Sequence, residues 1–304
     1  MKNKTNKRKQ SVKTGSKNTK KTGDRRKKRI LGTTAAILAL CLCLGIAGLA
    51  AGAGGGESQD DESWLKSWFQ EQSRIRQLKR LDGEYPGLSD VAENIEDYPE
   101  EMIELFLSNH ESAEYLLGYK EENRKQQNTD ISNIDIREDL AGGGIPLFLQ
   151  WDKRWGYKTY GDGLIGWTGC GPVCLSMASA GLTGNLSWHP AAVADMAERM
   201  AYYVPGTGTN WELMTTGVSV FGLVSEQITG TEDLMKNALD EGKVLICSVG
   251  PGDFTAQGHF ILIDGYGEEG FSVKDPNSRI KSEKIWTYDT LAPQIKNTWA
   301  LAAA

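Results

Sequence analysis

Histidine and cysteine are scarce in this chain: 304 residues hold three of the first and five of the second. Five cysteines in a chain of this length do not make a disulfide framework, so the fold has to rest on an ordinary core. Charge is missing altogether from Ile30 to Gly56, and no internal repeat or nucleotide-binding motif is present. The basic groups are just as unevenly spread. Residues 1–29 carry fourteen Lys/Arg against one acidic residue, Asp24, a net charge of +13. The rest of the chain then holds 20 basic and 39 acidic groups, a net of −19. A folded portion this acidic excludes nucleic acid as a partner, because that role wants a basic face on the folded domain.

The uncharged stretch has ILALCLCLGIAGLAAGA at its centre, and about 20 such residues span a bilayer core as a helix. With the basic block before it, the positive-inside rule predicts a signal-anchor over 30–54, a cytoplasmic segment over 1–29 and everything after Glu57 outside the cell. Ala51-Gly52-Ala53 has the small-x-small form of a signal-peptidase site, so cleavage and secretion is the alternative. The long basic region and long apolar run favour the retained anchor. Cys41 and Cys43 fall inside this span, and the Leu-Ala-Leu before Cys41 lacks the small residue of a lipoprotein site.

Residues 61–81 place Trp64, Leu65, Trp68, Phe69, Ile75 and Leu78 at helical spacing, which predicts an amphipathic helix. A second helical stretch opens at Pro99, as one bent helix or two short ones. Residues 120–144 are polar and end in three glycines, the composition of a linker. Together 57–144 reads as a helical stalk and linker, with a compact domain from 145 to 304. In that domain helices are predicted over 170–180, 190–200, 210–220 and 233–239. Strands are predicted at 243–249, 258–264, 271–274, 283–287 and 298–302. Helices first and a mostly antiparallel sheet afterwards is an α+β order.

Gly169-Cys170-Gly171-Pro172 opens the first of those helices. A cysteine at a helix N-terminus is the setting in which a thiolate is stabilised, and Pro172 suits the first turn. Gly169 permits a tight turn, and Gly171 is read as letting a substrate approach the backbone. Of the three histidines, His110 lies in a polar helical stretch and His189 at a helix start beside Pro190. His259 enters the apolar strand Phe260-Ile-Leu-Ile263 and is the candidate base. The carboxylate that orients it should not be Asp264, because a separation of five puts the two on opposite faces of a strand. Asp275 follows the turn Gly267-Glu-Glu-Gly270 and a returning strand, which brings it back beside His259, with Asn277 as a fallback. Gln150 is the candidate oxyanion donor, paired with the backbone N–H of the nucleophile. Cys174 and Cys247 are read as buried apolar side chains. Trp151, Trp155, Trp167, Trp188 and Trp211 are candidates for a peptide groove, with core packing the default for each.

At Gln150-Trp-Asp, Arg154-Trp155, Thr168-Gly-Cys-Gly-Pro172, Gly258-His-Phe260 and Asp275-Pro276 the chain resembles the C-thirty-nine-like cysteine peptidases. These are stand-alone relatives of the double-glycine leader peptidases and are papain-like in fold. The resemblance covers residues 146 to about 302. It implies Cys170 as nucleophile, His259 as base and acid, Asp275 as orienter and Gln150 as oxyanion donor, with no metal or organic cofactor. Twenty positions separate Gln150 from Cys170, the longer spacing of the stand-alone relatives. The leader peptidases are fused to a transporter and act from the cytoplasmic side, so leader processing is not implied here. The expected function is a membrane-anchored extracytoplasmic peptidase acting on peptides, proteins or cell-wall peptide crosslinks. The alternative is a catalytically silent papain-like module that binds peptide. The glycine runs at 54–56 and 142–144 read as flexible linkers in preference to self-cleavage sites.

Overall fold

The computed structural model describes residues 59–126 and 130–304, so the expected cytoplasmic segment and membrane anchor lie outside the described residues. Among the described residues no helix is long and apolar enough to cross a membrane. Among the described residues, Gln59–Lys66 belong to one unit and Ser67–Ala304 form a second, compact unit.

The described chain begins with helices, the first of which runs from residues of the first unit into the second. α1 (Gln59–Leu81), α2 (Leu88–Glu93), α3 (Glu100–Ser108) and α4 (Ala113–Gln126) come one after another, and the break at 109–112 settles the second stretch as two helices. Within the compact unit, Leu78 of α1 joins Leu88, Met102, Phe106 and Leu116 in a fully buried cluster, while Phe69 stays exposed. The expected linker is part of the fold. Ile136 is fully buried in the main core, with Ile131, Ile134 and Leu140 packed against it. Arg154 also holds Asp139 at 2.7 Å and Asp152 at 2.8 Å while lying over the ring of Trp155. Polar composition conceals this because isoleucines at 131, 134 and 136 supply the apolar contacts between polar neighbours.

Two small hairpins flank the next group of helices. β1 (Thr159–Tyr160) pairs with β2 (Gly163–Leu164), and β3 (Tyr203–Val204) with β4 (Gly208–Thr209). Between them lie α5 (Ile165–Thr168), α6 (Cys170–Thr183) and α7 (Pro190–Arg199). The six-stranded sheet consists of β5 (Leu223–Ile228), β6 (Val244–Val249), β7 (His259–Gly267), β8 (Gly270–Lys274), β9 (Ile285–Trp286) and β10 (Ile295–Ala303). Its order is β5-β10-β6-β7-β8-β9, antiparallel throughout. α8 (Glu232–Asp240) connects β5 to β6.

The sheet is covered on both faces, which explains the continuous apolar runs of its central strands. On β6 and β7, Ile246 and Leu262 join Val173 and Met177 of α6 in one cluster. Leu245, Cys247, Ile261 and Ile263 join Met235 and Ala238 of α8 in the other. Strand β5 and both hairpins are not predicted from the sequence. β5 is an edge strand with exposed Val224 and polar Ser225, Glu226 and Gln227, so it carries little hydrophobic signal.

Candidate active site

Cys170 is the first residue of α6, immediately after α5. The helix is buried from Gly171 through Ala180, so this end is held rigidly against the sheet. Gly171 has a use different from the expected one. A Cβ there would stand 2.8–2.9 Å from the side chain of Thr209 on β4, so the glycine admits the hairpin wall and not a substrate. Gly166 is comparable, since its Cβ would fall on the ring of Tyr115 from α4.

His259 is the first residue of β7, opposite Val249 of β6, and is buried. β8 returns antiparallel and ends at Lys274, and the next residue, Asp275, is fully buried beside the histidine. His259 Nε2 stands 2.7 Å from Asp275 Oδ1, which also accepts the Asn277 N–H at 2.8 Å. With Nε2 engaged there, Nδ1 is the ring nitrogen left to face the Cys170 thiol, whose charge acts on the ring. Asp264 falls at an irregularity between β7 and β8 and pairs with Lys274 at 3.3 Å. The fallback, the Asn277 side chain, makes no hydrogen bond to the ring: its Oδ1 is buried without a partner, while its backbone carbonyl accepts from Trp151 Nε1 at 3.0 Å.

The electrostatics match a charge pair. Burial would push the Cys170 thiol up, but the neighbouring His259 imidazole, with help from the Phe260 and Gly171 backbone, brings it below its ordinary value. Burial likewise opposes charge on His259, yet Asp275 and Cys170 outweigh it and raise the imidazole from 6.5 to about 10. The other thiols behave oppositely. Burial drives Cys174 well up, with its Sγ donating to the Phe260 carbonyl at 3.4 Å, and pushes Cys247 up to about 12.

Gln150 is buried next to these residues. Its N–H donates to the Pro276 carbonyl at 2.7 Å, and its Nε2 donates to the Gly166 carbonyl at 2.8 Å. One amide hydrogen is thus spent on α5, and Gln150 is not among the residues lining the cleft. The cleft has a volume of about 1020 Å3 and runs past Cys170 and His259 between Trp167, Trp211 and the β3–β4 hairpin. Of the five tryptophans considered for a groove, Trp167 and Trp211 line it. Trp155, Trp188 and Trp151 pack in the cores. His110 stacks on Phe106 at the exposed corner between α3 and α4. His189 caps α7, its Nδ1 accepting the Ala192 N–H at 3.3 Å.

The hairpin wall is a part of the site that sequence reasoning missed. Asp162 accepts from the Tyr203 hydroxyl and from the Gly206 N–H, and Tyr160 and Thr209 meet hydroxyl to hydroxyl at 3.0 Å. Pro205-Gly206 was the available turn signal, with Gly206 at φ 72°. Among the described residues no cluster of His, Cys, Asp and Glu could hold a metal ion.

A helix-borne thiol, an imidazole entering an antiparallel sheet and a buried carboxylate past the next hairpin come together in an α+β fold. The chain belongs to the Peptidase_C39 like family, whose family model matches residues 144–303. A crystal structure of a candidate C39-like peptidase from Bacillus anthracis is similar at 14% identity, over 53% of this chain and 95% of that one, with a TM-score of 0.32. No curated protein matches the chain.

Proposed function

We propose that the protein is a cysteine peptidase in which Cys170 is the nucleophile, His259 the general base and acid, and Asp275 the group that orients and charges the imidazole. The observation that carries this reading is the pairing of His259 Nε2 with Asp275 Oδ1 at 2.7 Å, while His259 and Cys170 line the same cleft. The thiolate attacks an amide carbonyl, and His259 protonates the leaving amine. Water then hydrolyses the thioester, with His259 as base. The oxyanion that forms at each stage is served by the N–H of Cys170 at the head of α6, and Gln150, which does not line the cleft, steadies α5 beside it through the Gly166 carbonyl.

An open cleft walled by Trp167 and Trp211 suits an extended peptide, as a free peptide, a protein segment or a cell-wall crosslink. The +13 segment followed by the uncharged stretch 30–56 supports a membrane anchor with the catalytic unit outside the cytoplasm. The test is to incubate the full chain with a proteome-derived peptide mixture and identify new termini by mass spectrometry. New termini are expected from wild type and none from Cys170→Ala; equal yields from both would refute the proposal.

A further inference from the structure

The turn that carries Asp275 is held from two sides. From the peptidase domain, Gln150 N–H reaches the Pro276 carbonyl and Trp151 Nε1 the Asn277 carbonyl. From the helical segment, the corner between α3 and α4 supplies the rest. Asn109 donates through Nδ2 to the same Asn277 carbonyl, and its Oδ1 accepts the Glu111 N–H at 3.1 Å. Glu111 uses both carboxylate oxygens: Oε1 accepts from the Ser278 hydroxyl, and Oε2 accepts the N–H groups of Arg279 at 2.9 Å and Ile280 at 3.2 Å. Ser278 in turn donates its N–H to the Asp275 carbonyl at 3.1 Å.

We propose that Asn109 and Glu111 are positioning residues of the peptidase site, fixing the Asp275–Ser278 turn and through it the contact between Asp275 and His259. This rests on the peptidase reading of the site. Both residues lie upstream of the span 144–303 that the family model matches, so the proposal makes the helical segment a working part of this enzyme. The arrangement needs a carboxylate, because three donors converge on its two oxygens, and a neutral amide at 111 would turn an N–H toward one of them. The titratable groups acting on His259 are Asp275 from this turn and Cys170 from α6; Cys174 behind them is itself pushed up, by burial and then by both of these. A turn that drifts weakens the first and leaves the others in place.

The test uses the full chain and needs no substrate. The rate of Cys170 alkylation by iodoacetamide is followed against pH, and the His259 ring titration is followed by NMR. Glu111→Gln is expected to move the thiolate midpoint up and the ring midpoint down, each by about half to one pH unit. Asn109→Ala should shift both the same way, and serves if Glu111→Gln does not fold. In an Asp275→Asn background neither substitution should shift the midpoints further, since both act through Asp275. Asp97→Asn, which breaks the pair with Lys120 on the same helical segment, should leave both midpoints in place. Loss of thermal stability with unmoved midpoints would show a merely structural contact and overturn the proposal. If His259→Gln also left the thiolate midpoint unchanged, the peptidase reading itself would fall.

Discussion

Asp275→Asn separates charge from shape at the heart of the site. An amide can still accept from His259 Nε2 at the observed 2.7 Å, but the negative charge is gone. In the intact protein the imidazole is raised from 6.5 to about 10 against the effect of burial. At about 1.4 kcal/mol per pH unit that is roughly 5 kcal/mol in favour of the imidazolium. Coulomb's law supports the scale, giving roughly 6 kcal/mol for unit charges 2.7 Å apart at an effective dielectric of about 20. Asp275 is the larger of the two raising influences, so its neutralisation should lower the ring midpoint by about 2–3 pH units. The sign comes from linkage. A raised histidine contributes its stabilisation fully below 6.5 and loses it as pH climbs through about 10, so in the variant that loss moves to lower pH. The imidazolium also holds the Cys170 thiolate, so the acid-side midpoint of thiol reactivity should rise, and peptide hydrolysis should fall by about 100-fold to 10,000-fold. NMR titration of the histidine rings, with His259 assigned by its loss in His259→Gln, reads the shift directly. A midpoint that stays near 10 would refute the role given to Asp275.

Other consequences concern the frame of the site. Gly171→Ala places a methyl group 2.8–2.9 Å from Thr209, so thermal unfolding should show a loss of about 1–3 kcal/mol, and Cys170 reactivity should drop with it. Ile136→Ala empties a fully buried position in the main core and should cost about 2–4 kcal/mol in denaturant unfolding, whereas a side chain on a free linker would cost nothing measurable. At neutral pH brief iodoacetamide treatment should modify Cys170 and spare Cys174 and Cys247, whose buried thiols are pushed up; peptide mapping checks the selectivity.

The parts of the site built from local chemistry were legible in the sequence. Gly169-Cys170-Gly171-Pro172 marks a helix start by its own residue types, and strand alternation set Asp275 ahead of Asp264; His259 pairs with Asp275, and Asp264 with Lys274. Contacts made across long sequence distances left no such mark. Glu111 and Ser278 are 167 positions apart, and nothing in either neighbourhood shows that one accepts from the other. The same holds for Tyr115, whose hydroxyl donates to the Gly156 carbonyl at 2.7 Å and whose ring requires a glycine at 166. The segment 120–144 misled because average polarity outweighed three isoleucines that face the core together. Gly171 misled differently: sequence shows that a small residue is present, but not which neighbour approaches it.

The central claim is that Cys170 is activated by His259, and alkylation of Cys170 across pH in wild type and His259→Ala tests it most directly. In wild type the thiol should react with iodoacetamide below the ordinary thiol value of 9.0, and in His259→Ala that acid-side reactivity should vanish, leaving a midpoint at or above 9.0. Alkylation of Cys170 with the same pH dependence in both proteins would contradict the account.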